Sequence, residues 1–210
     1  MGILKNGILG GVKNKVGAVV GRTHRGQDVI TGLPRISTKE KTGGQLEQQD
    51  RFGMLNSFLA QLKELIAQGF KRFAKKRSTL NEAFSYNYGH AFVELDESIE
   101  INYPKIVYSR GPVSTVNCPT VALSEENTVL FSWLPEGQNE NTRASDKATF
   151  LIYSAGMKDA SYFIGTANRS DLSFAVELDE KLIGTGLHCY MSFSNESGKL
   201  VGNSVYVGLV

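Results

Sequence analysis

The hydrophobic pattern changes its period along this chain, and that change limits the folds available to it. From Thr42 to Phe73, apolar residues recur at helical spacing, whereas from Ser98 onward apolar and polar residues alternate as they do in strands. Seven short β-prone segments follow Gly111, near residues 120–123, 128–134, 147–153, 162–166, 172–178, 187–193 and 204–207. The sequence therefore predicts an α+β protein in which helices precede a C-terminal antiparallel β-sandwich of the immunoglobulin or fibronectin III-like kind.

Two helices are predicted, at about 45–77 and 79–88. Thr42 and Gln45 are spaced as in a capping box, which places the start of the first helix. The apolar face of that helix comprises Phe52, Leu55, Phe58, Leu59, Leu62, Leu65, Ile66, Phe70 and Phe73. The shorter helix would turn Leu80, Ala83, Phe84 and Tyr88 toward this face.

Residues 1–44 form a glycine-rich, basic arm with few large side chains. Residues 2–44 contain ten glycines and eight Lys or Arg, so this segment cannot bury enough apolar surface to fold alone. Its β-prone runs, 15–21 and 27–33, are spaced to pair as a hairpin around a Gly-containing loop. We therefore divide the chain into a basic N-terminal region, 1–97, and a β-sandwich domain with lead-in strands, 98–210.

Charge is distributed very unevenly along the chain. Residues 1–80 carry 15 Lys or Arg and 5 Asp or Glu, whereas residues 81–210 carry 8 and 16, within a formal net charge of +2. The basic segment predicts an anionic partner, which is either nucleic acid or the acidic half of a neighbouring copy. The predicted partner-binding residues of the arm are Lys13, Lys15, Arg22, Arg25 and Arg35.

A second basic cluster follows the predicted long helix. Its members are Lys71, Arg72, Lys75, Lys76 and Arg77. This cluster either binds an anion or complements the negative end of the helix dipole. The first 50 residues contain no aromatic side chain, and the chain carries no motif for sequence-specific recognition, so a bound nucleic acid would be contacted through its backbone.

No motif in the chain indicates catalysis. Cys118 and Cys189 are the only cysteines, and the three histidines fall in separate segments, so we predict neither a metal site nor a disulfide scaffold. The glycines before Lys13 lack the spacing of a phosphate-binding loop. We predict no catalytic residue and no cofactor. The chain has no apolar run long enough to span a membrane and makes a poor secretory signal, so we expect a cytoplasmic protein, or one within a virion or particle.

Several residue groups along the chain are similar to one family. They are Gly7 to Gly11, Lys15 to Gly17, Val20-Gly21, Arg35, Gln45 to Phe52, Ala83 to Asn87, Ser109 to Gly111, Ser192-Phe193 and Asn203 to Gly208. In combination they resemble an uncharacterised family of Bacteroidota proteins of similar length, over essentially the whole chain. The resemblance implies a lineage but no activity and no site residues.

We expect a non-enzymatic structural or interaction protein. The arm would mediate self-association or docking on another protein, which favours a homo-oligomer. By analogy of fold, a phage or prophage particle is a suitable setting. The alternative is a sequence-independent protein that binds the nucleic-acid backbone.

Overall fold

The computed structural model describes residues 3–4, 11–24, 26–34, 38–75, 77–95, 98–124, 127–182 and 184–210. Contacts divide the chain into two compact units, Met1–Gln45 and Leu46–Val210. The described residues form α-helices and antiparallel sheets, so the predicted α+β class is confirmed. None of the helices within these ranges is both long and apolar enough to cross a bilayer.

The first unit contains an antiparallel sheet, which we call the N-terminal sheet. Its strands are β1 (Ile3–Leu4), β2 (Val12–Val16), β3 (Val19–His24) and β4 (Gln27–Gly32), paired in that order. The predicted hairpin is confirmed, since β3 and β4 pair from Val19↔Gly32 to His24↔Gln27. The run 15–21 is not one strand, however. The chain turns at Gly17, whose φ of +59° suits a tight hairpin turn.

A second glycine lets two strands of this sheet approach closely. A Cβ on Gly21 would lie 1.7 Å from the carbonyl oxygen of Val12. Gly21 is also buried, so any side chain there would displace β2.

Three helices are described: α1 (Gly43–Gln61), α2 (Lys63–Gly69) and α3 (Thr79–Asn87). The Gln45 side chain accepts a hydrogen bond from the Thr42 N–H at 3.1 Å, as the predicted capping box requires. Ser78 caps α3 by accepting from the Asn81 N–H at 3.2 Å.

The first helical segment ends earlier than its apolar pattern predicts. The helix is interrupted at Leu62, and the second helical piece ends at Gly69 and not near residue 77. A Cβ on Gly69 would lie 2.3 Å from the Tyr108 carbonyl oxygen, so the chain at 108–109 packs directly on this glycine. The Gly69 carbonyl accepts a hydrogen bond from the Arg110 N–H at 3.1 Å. A tertiary contact therefore satisfies the end of α2.

The second unit contains the remaining strands. They are β5 (Phe92–Glu94), β6 (Ile99–Ile101), β7 (Thr120–Leu123), β8 (Thr128–Ser132), β9 (Lys147–Ser154), β10 (Asp159–Asn168), β11 (Ser173–Glu177), β12 (Leu187–Ser194) and β13 (Val205–Leu209). Strands β7 to β13 match the seven predicted segments within a few residues. They form an outer sheet, in the order β11-β8-β7, and a central sheet, in the order β10-β9-β12-β13.

The central sheet is covered on both faces. One core joins it to the outer sheet through side chains such as Phe131 and Phe150. Another core packs α1, α2 and α3 against its opposite face, where Leu151, Tyr153 and Tyr190 lie. Because successive residues of a strand point to opposite faces, β9 is buried along nearly its whole length.

Between β6 and β7, the chain is held by backbone bonds and also by a buried side chain of α3. The fully buried Asn87 amide donates to the Val107 carbonyl at 2.8 Å and to the Ala83 carbonyl at 2.9 Å. Its oxygen accepts from the Val107 N–H at 2.8 Å. Asn87 thus pairs with Val107 as a neighbouring strand would, and Ile106 and Tyr108 point into the helix-side core.

Candidate functional site

The N-terminal sheet presents two chemically different faces. Lys15 pairs with Val20, and Arg22 follows Val20 at strand spacing, so these side chains share one face. Val16 pairs with Val19, and Gly21 pairs with Ile30, so these apolar side chains share the other face, whose far end carries the Thr23↔Asp28 pair. We call these the basic face and the apolar face.

Three of the five predicted arm residues can be placed on this sheet. Lys13 and Lys15 lie on β2 and Arg22 lies on β3, and all are exposed. Arg25 and Arg35 lie outside the described residues. Asn14 separates the two lysines with a φ of +69°, a left-handed conformation that asparagine tolerates better than most residues.

The apolar face is exposed to an unusual degree. Val16, Val19 and Ile30 are 45%, 36% and 61% exposed. Among the described residues of the first unit whose burial is defined, Gly21 alone is buried, so those residues form no apolar core. A sheet of this size normally needs a covered apolar face to be stable.

The second predicted cluster forms a basic turn in the other unit. Lys71, Arg72, Lys75 and Arg77 are exposed, and none of the ion pairs found among the described residues involves them. Lys76 lies outside the described residues. The cluster begins two residues beyond the end of α2, so most of it is too far from that end for the helix dipole to explain it.

Sequence analysis missed a cation and two aromatic rings beside this turn. The Arg110 guanidinium lies 3.9 Å from the ring centroid of Tyr86 and 4.8 Å from that of Phe73. The buried ring of Phe70 contacts both aromatic rings, at centroid distances of 6.3 Å to Phe73 and 6.2 Å to Tyr86. We call Lys71, Arg72, Phe73, Lys75, Arg77, Tyr86 and Arg110 the aromatic–basic cluster.

Another cation, Arg169, is buried and holds loops of the second unit together. It donates to Asp146 at 3.1 Å, to Glu136 at 3.2 Å and to the Ser114 carbonyl at 2.8 Å. Its guanidinium lies 3.8 Å from the Phe193 ring centroid. Burial lowers the pKa of Arg169, and Asp146 opposes that shift. The side chain is only 6% exposed and its donors are bonded to protein acceptors, which indicates a structural role.

A cleft of about 470 Å³ lies between α1, β6 and the end of β9 and is lined only by described residues. Its rings Phe58, Tyr103 and Tyr153 pack edge to face or tilted, at centroid distances of 4.7 to 5.8 Å. Burial raises the pKa of both tyrosines, so their hydroxyls are protonated at neutral pH. Ser57, Glu100 and Lys158 also line the cleft, and no hydrogen bond or ion pair joins any two of these three side chains among the described residues. Within the described ranges, no His, Cys, Asp and Glu side chains are grouped to hold a metal ion.

Together these features describe a mixed α+β protein in which helices and an outer sheet cover opposite faces of a central sheet, preceded by a small basic sheet. The chain belongs to a family of unknown function, DUF6266, whose model matches residues 11–208. The predicted resemblance to an uncharacterised family is therefore confirmed. No curated protein is significantly similar to this chain.

Proposed function

We propose that this protein is a non-enzymatic structural or interaction protein that self-associates through its N-terminal sheet. The observation that carries the proposal is the exposed apolar face formed by Val16, Val19 and Ile30. Contiguous exposed apolar surface of this kind marks interaction sites. Strand β4 is also an edge strand among the described residues, so its outer backbone groups can pair with a strand of another copy.

Apolar burial alone is too weak to hold such an assembly. Covering three side chains that are about half exposed contributes about 2–4 kcal/mol. A 1 μM complex requires about 8 kcal/mol after the entropy cost of association. Additional attraction must come from edge pairing or from charge.

Charge complementarity favours docking on the second unit of a neighbouring copy. Residues 1–45 carry eight Lys or Arg and two Asp or Glu, whereas residues 46–210 carry 15 and 19. Two N-terminal sheets would repel each other, while a basic sheet and an acidic unit attract. Contacts of this head-to-tail kind build rings or filaments.

We further infer that residues 98–210 serve as a scaffold of the immunoglobulin/fibronectin III-like kind. Supporting this, the chain crosses between sheets after β8, β10 and β11, which leaves β8 beside β11 and β9 beside β12. Strand β10 pairs with β9 and not with β11, which distinguishes this order from that of immunoglobulin constant domains. A superposition of an experimental structure on fibronectin III domains tests this assignment, and a different strand order would refute it.

Light scattering of the nuclease-treated protein tests self-association. We expect a mass several times 23.0 kDa at low salt that falls as salt screens the contact, for example between about 50 and 500 mM. A monomer at both salt concentrations would refute the proposal.

A matched pair of variants tests which face associates. Val19→Thr with Ile30→Thr makes the apolar face polar and keeps β-branched residues. Val20→Thr with Val29→Thr makes the same chemical change on the same two strands but on the opposite face. We expect the first pair to lower the mass at 50 mM salt and the second pair to leave it near that of the unmodified protein. Equal effects of both pairs would mean that the apolar face is not the contact.

A further inference from the structure

The basic turn after α2 carries cations that the fold does not neutralise. Lys71, Arg72, Lys75 and Arg77 are exposed and make no ion pair among the described residues, whereas Arg51, Arg169 and Lys181 of the same unit each contact carboxylates. Four cations within seven residues repel one another. Binding an anion with closely spaced charges would relieve this repulsion.

Aromatic rings stand within the same cluster. Phe73 is 38% exposed and Tyr86 is 39% exposed, although both also contact the buried ring of Phe70. The Arg110 guanidinium contacts both rings, and the Arg110 backbone N–H is bonded to the Gly69 carbonyl. The cluster therefore offers rigid planar groups next to flexible cations.

We propose that the aromatic–basic cluster binds single-stranded nucleic acid. Cations would contact successive phosphates, while unstacked bases would pack on Phe73, Tyr86 and the Arg110 guanidinium. A duplex hides the faces of its bases, so it could use only the cations. The site is distinct from the N-terminal sheet, and it accounts for the exposed rings as well as for the charge.

Fluorescence anisotropy with a 5′-labelled oligothymidylate of about 15 nucleotides tests the proposal, because that length covers a site of this size. We expect the full-length protein to bind the single strand more tightly than a duplex of equal length. With four phosphate contacts, the logarithm of the binding constant should fall against log salt with a slope of about −3. A duplex preference would overturn the proposal.

Ring variants separate stacking from simple charge attraction. Phe73→Leu and Tyr86→Leu should each weaken binding about fivefold or more, since a stacked base contributes at least that factor. Phe52→Leu is the control, because Phe52 is a ring on α1 that is 55% exposed and lies outside the cluster. If the cluster variants lose no more affinity than the control, the bases do not stack there and the proposal fails.

Charge variants locate the phosphate contacts. Replacing Lys71, Arg72 and Lys75 by Gln should reduce the steepness of the salt slope by about 2. Replacing Lys105, Arg143 and Lys158 by Gln removes the same net charge from exposed positions elsewhere in this unit and should leave the slope unchanged. The proposal would be overturned if both triple variants reduced the salt slope equally. It would also be overturned if only a variant of Lys13, Lys15 and Arg22 reduced the slope, because the contact would then lie elsewhere. Equal binding of polyglutamate, without dependence on the rings, would indicate an acidic protein partner and would also overturn it.

Discussion

Among the charged residues of the second unit, Arg169 is the one whose replacement should lower the free energy of unfolding most. Its side chain is only 6% exposed, and it bonds to Asp146, Glu136 and the Ser114 carbonyl. Arg169→Ala removes all these donors at once. It leaves the buried Asp146 carboxylate with the Arg143 N–H, at 2.9 Å, as a remaining described donor.

The expected loss of stability arises because Asp146 becomes a buried charge without a partner. Removing one partner of a buried ion pair costs about 3–5 kcal/mol, because the other charge stays away from water without compensation. For a domain of this size, that loss lowers the Tm by roughly 6 to 20 °C. Arg169→Lys should be intermediate, because an ammonium group cannot reproduce the planar fork of bonds.

Urea unfolding followed by Trp133 fluorescence measures this loss. The indole N–H of Trp133, the only tryptophan, donates to the Arg169 carbonyl at 2.9 Å, so the probe lies within the affected region. Arg143→Ala is the matched control, because Arg143 is exposed and should cost less than about 0.5 kcal/mol. Removing Asp146 as well should cost at least about 1 kcal/mol less than the sum of the single changes. A loss below about 1 kcal/mol for Arg169→Ala would refute the reasoning.

Other predictions concern the helix-side core, the thiols and pH. Asn87→Ala leaves the half-buried Val107 backbone unpaired and should cost about 1–3 kcal/mol in urea unfolding; a cost below about 0.5 kcal/mol would contradict the strand-like pairing. In the folded protein a thiol reagent such as Ellman's should modify the exposed Cys118 but not Cys189, because burial raises the pKa of Cys189 to about 12. Equal rates of modification of the two thiols would contradict the burial of Cys189. Burial lowers the pKa of His188, so the unfolded state binds a proton at this residue before the folded state does. The free energy of unfolding should therefore fall as pH drops below about 6.5, by less than about 1.4 kcal/mol per pH unit. His188→Gln should remove this part of the pH dependence, and an unchanged profile would refute the prediction.

The spacing of apolar residues predicted where the strands lie, but it did not predict which elements pack on each strand. Phe150 and Ile152 face one core while Leu151 and Tyr153 face another, so β9 is apolar on both sides. A run like this indicates a buried strand but does not identify what covers it. The packing of the helices against this strand was therefore not predictable from the pattern.

The end of α2 and the aromatic–basic cluster depend on contacts between distant residues. The apolar helical pattern continues to Phe73, but Gly69 ends the helix because the chain at 108–109 packs on it. Arg110 lies 37 residues from Phe73 along the sequence, and no local spacing relates the two. The lysines and arginines of the turn were visible because they are clustered within seven residues, whereas Phe73 was assigned to the apolar helix face and Tyr86 was placed on neither predicted face.

The central sheet has a consequence for how the second unit unfolds. Strands β9 and β12 supply alternate side chains to both cores. Unfolding of either core would therefore expose one face of the same two strands to water. Loss of the helices would expose Leu151, Tyr153 and Tyr190 to water. The helices and both sheets should therefore lose structure in one cooperative transition, with the amides of β9 and β12 exchanging hydrogen last. In this unit the sheet makes two cores behave as a single thermodynamic body.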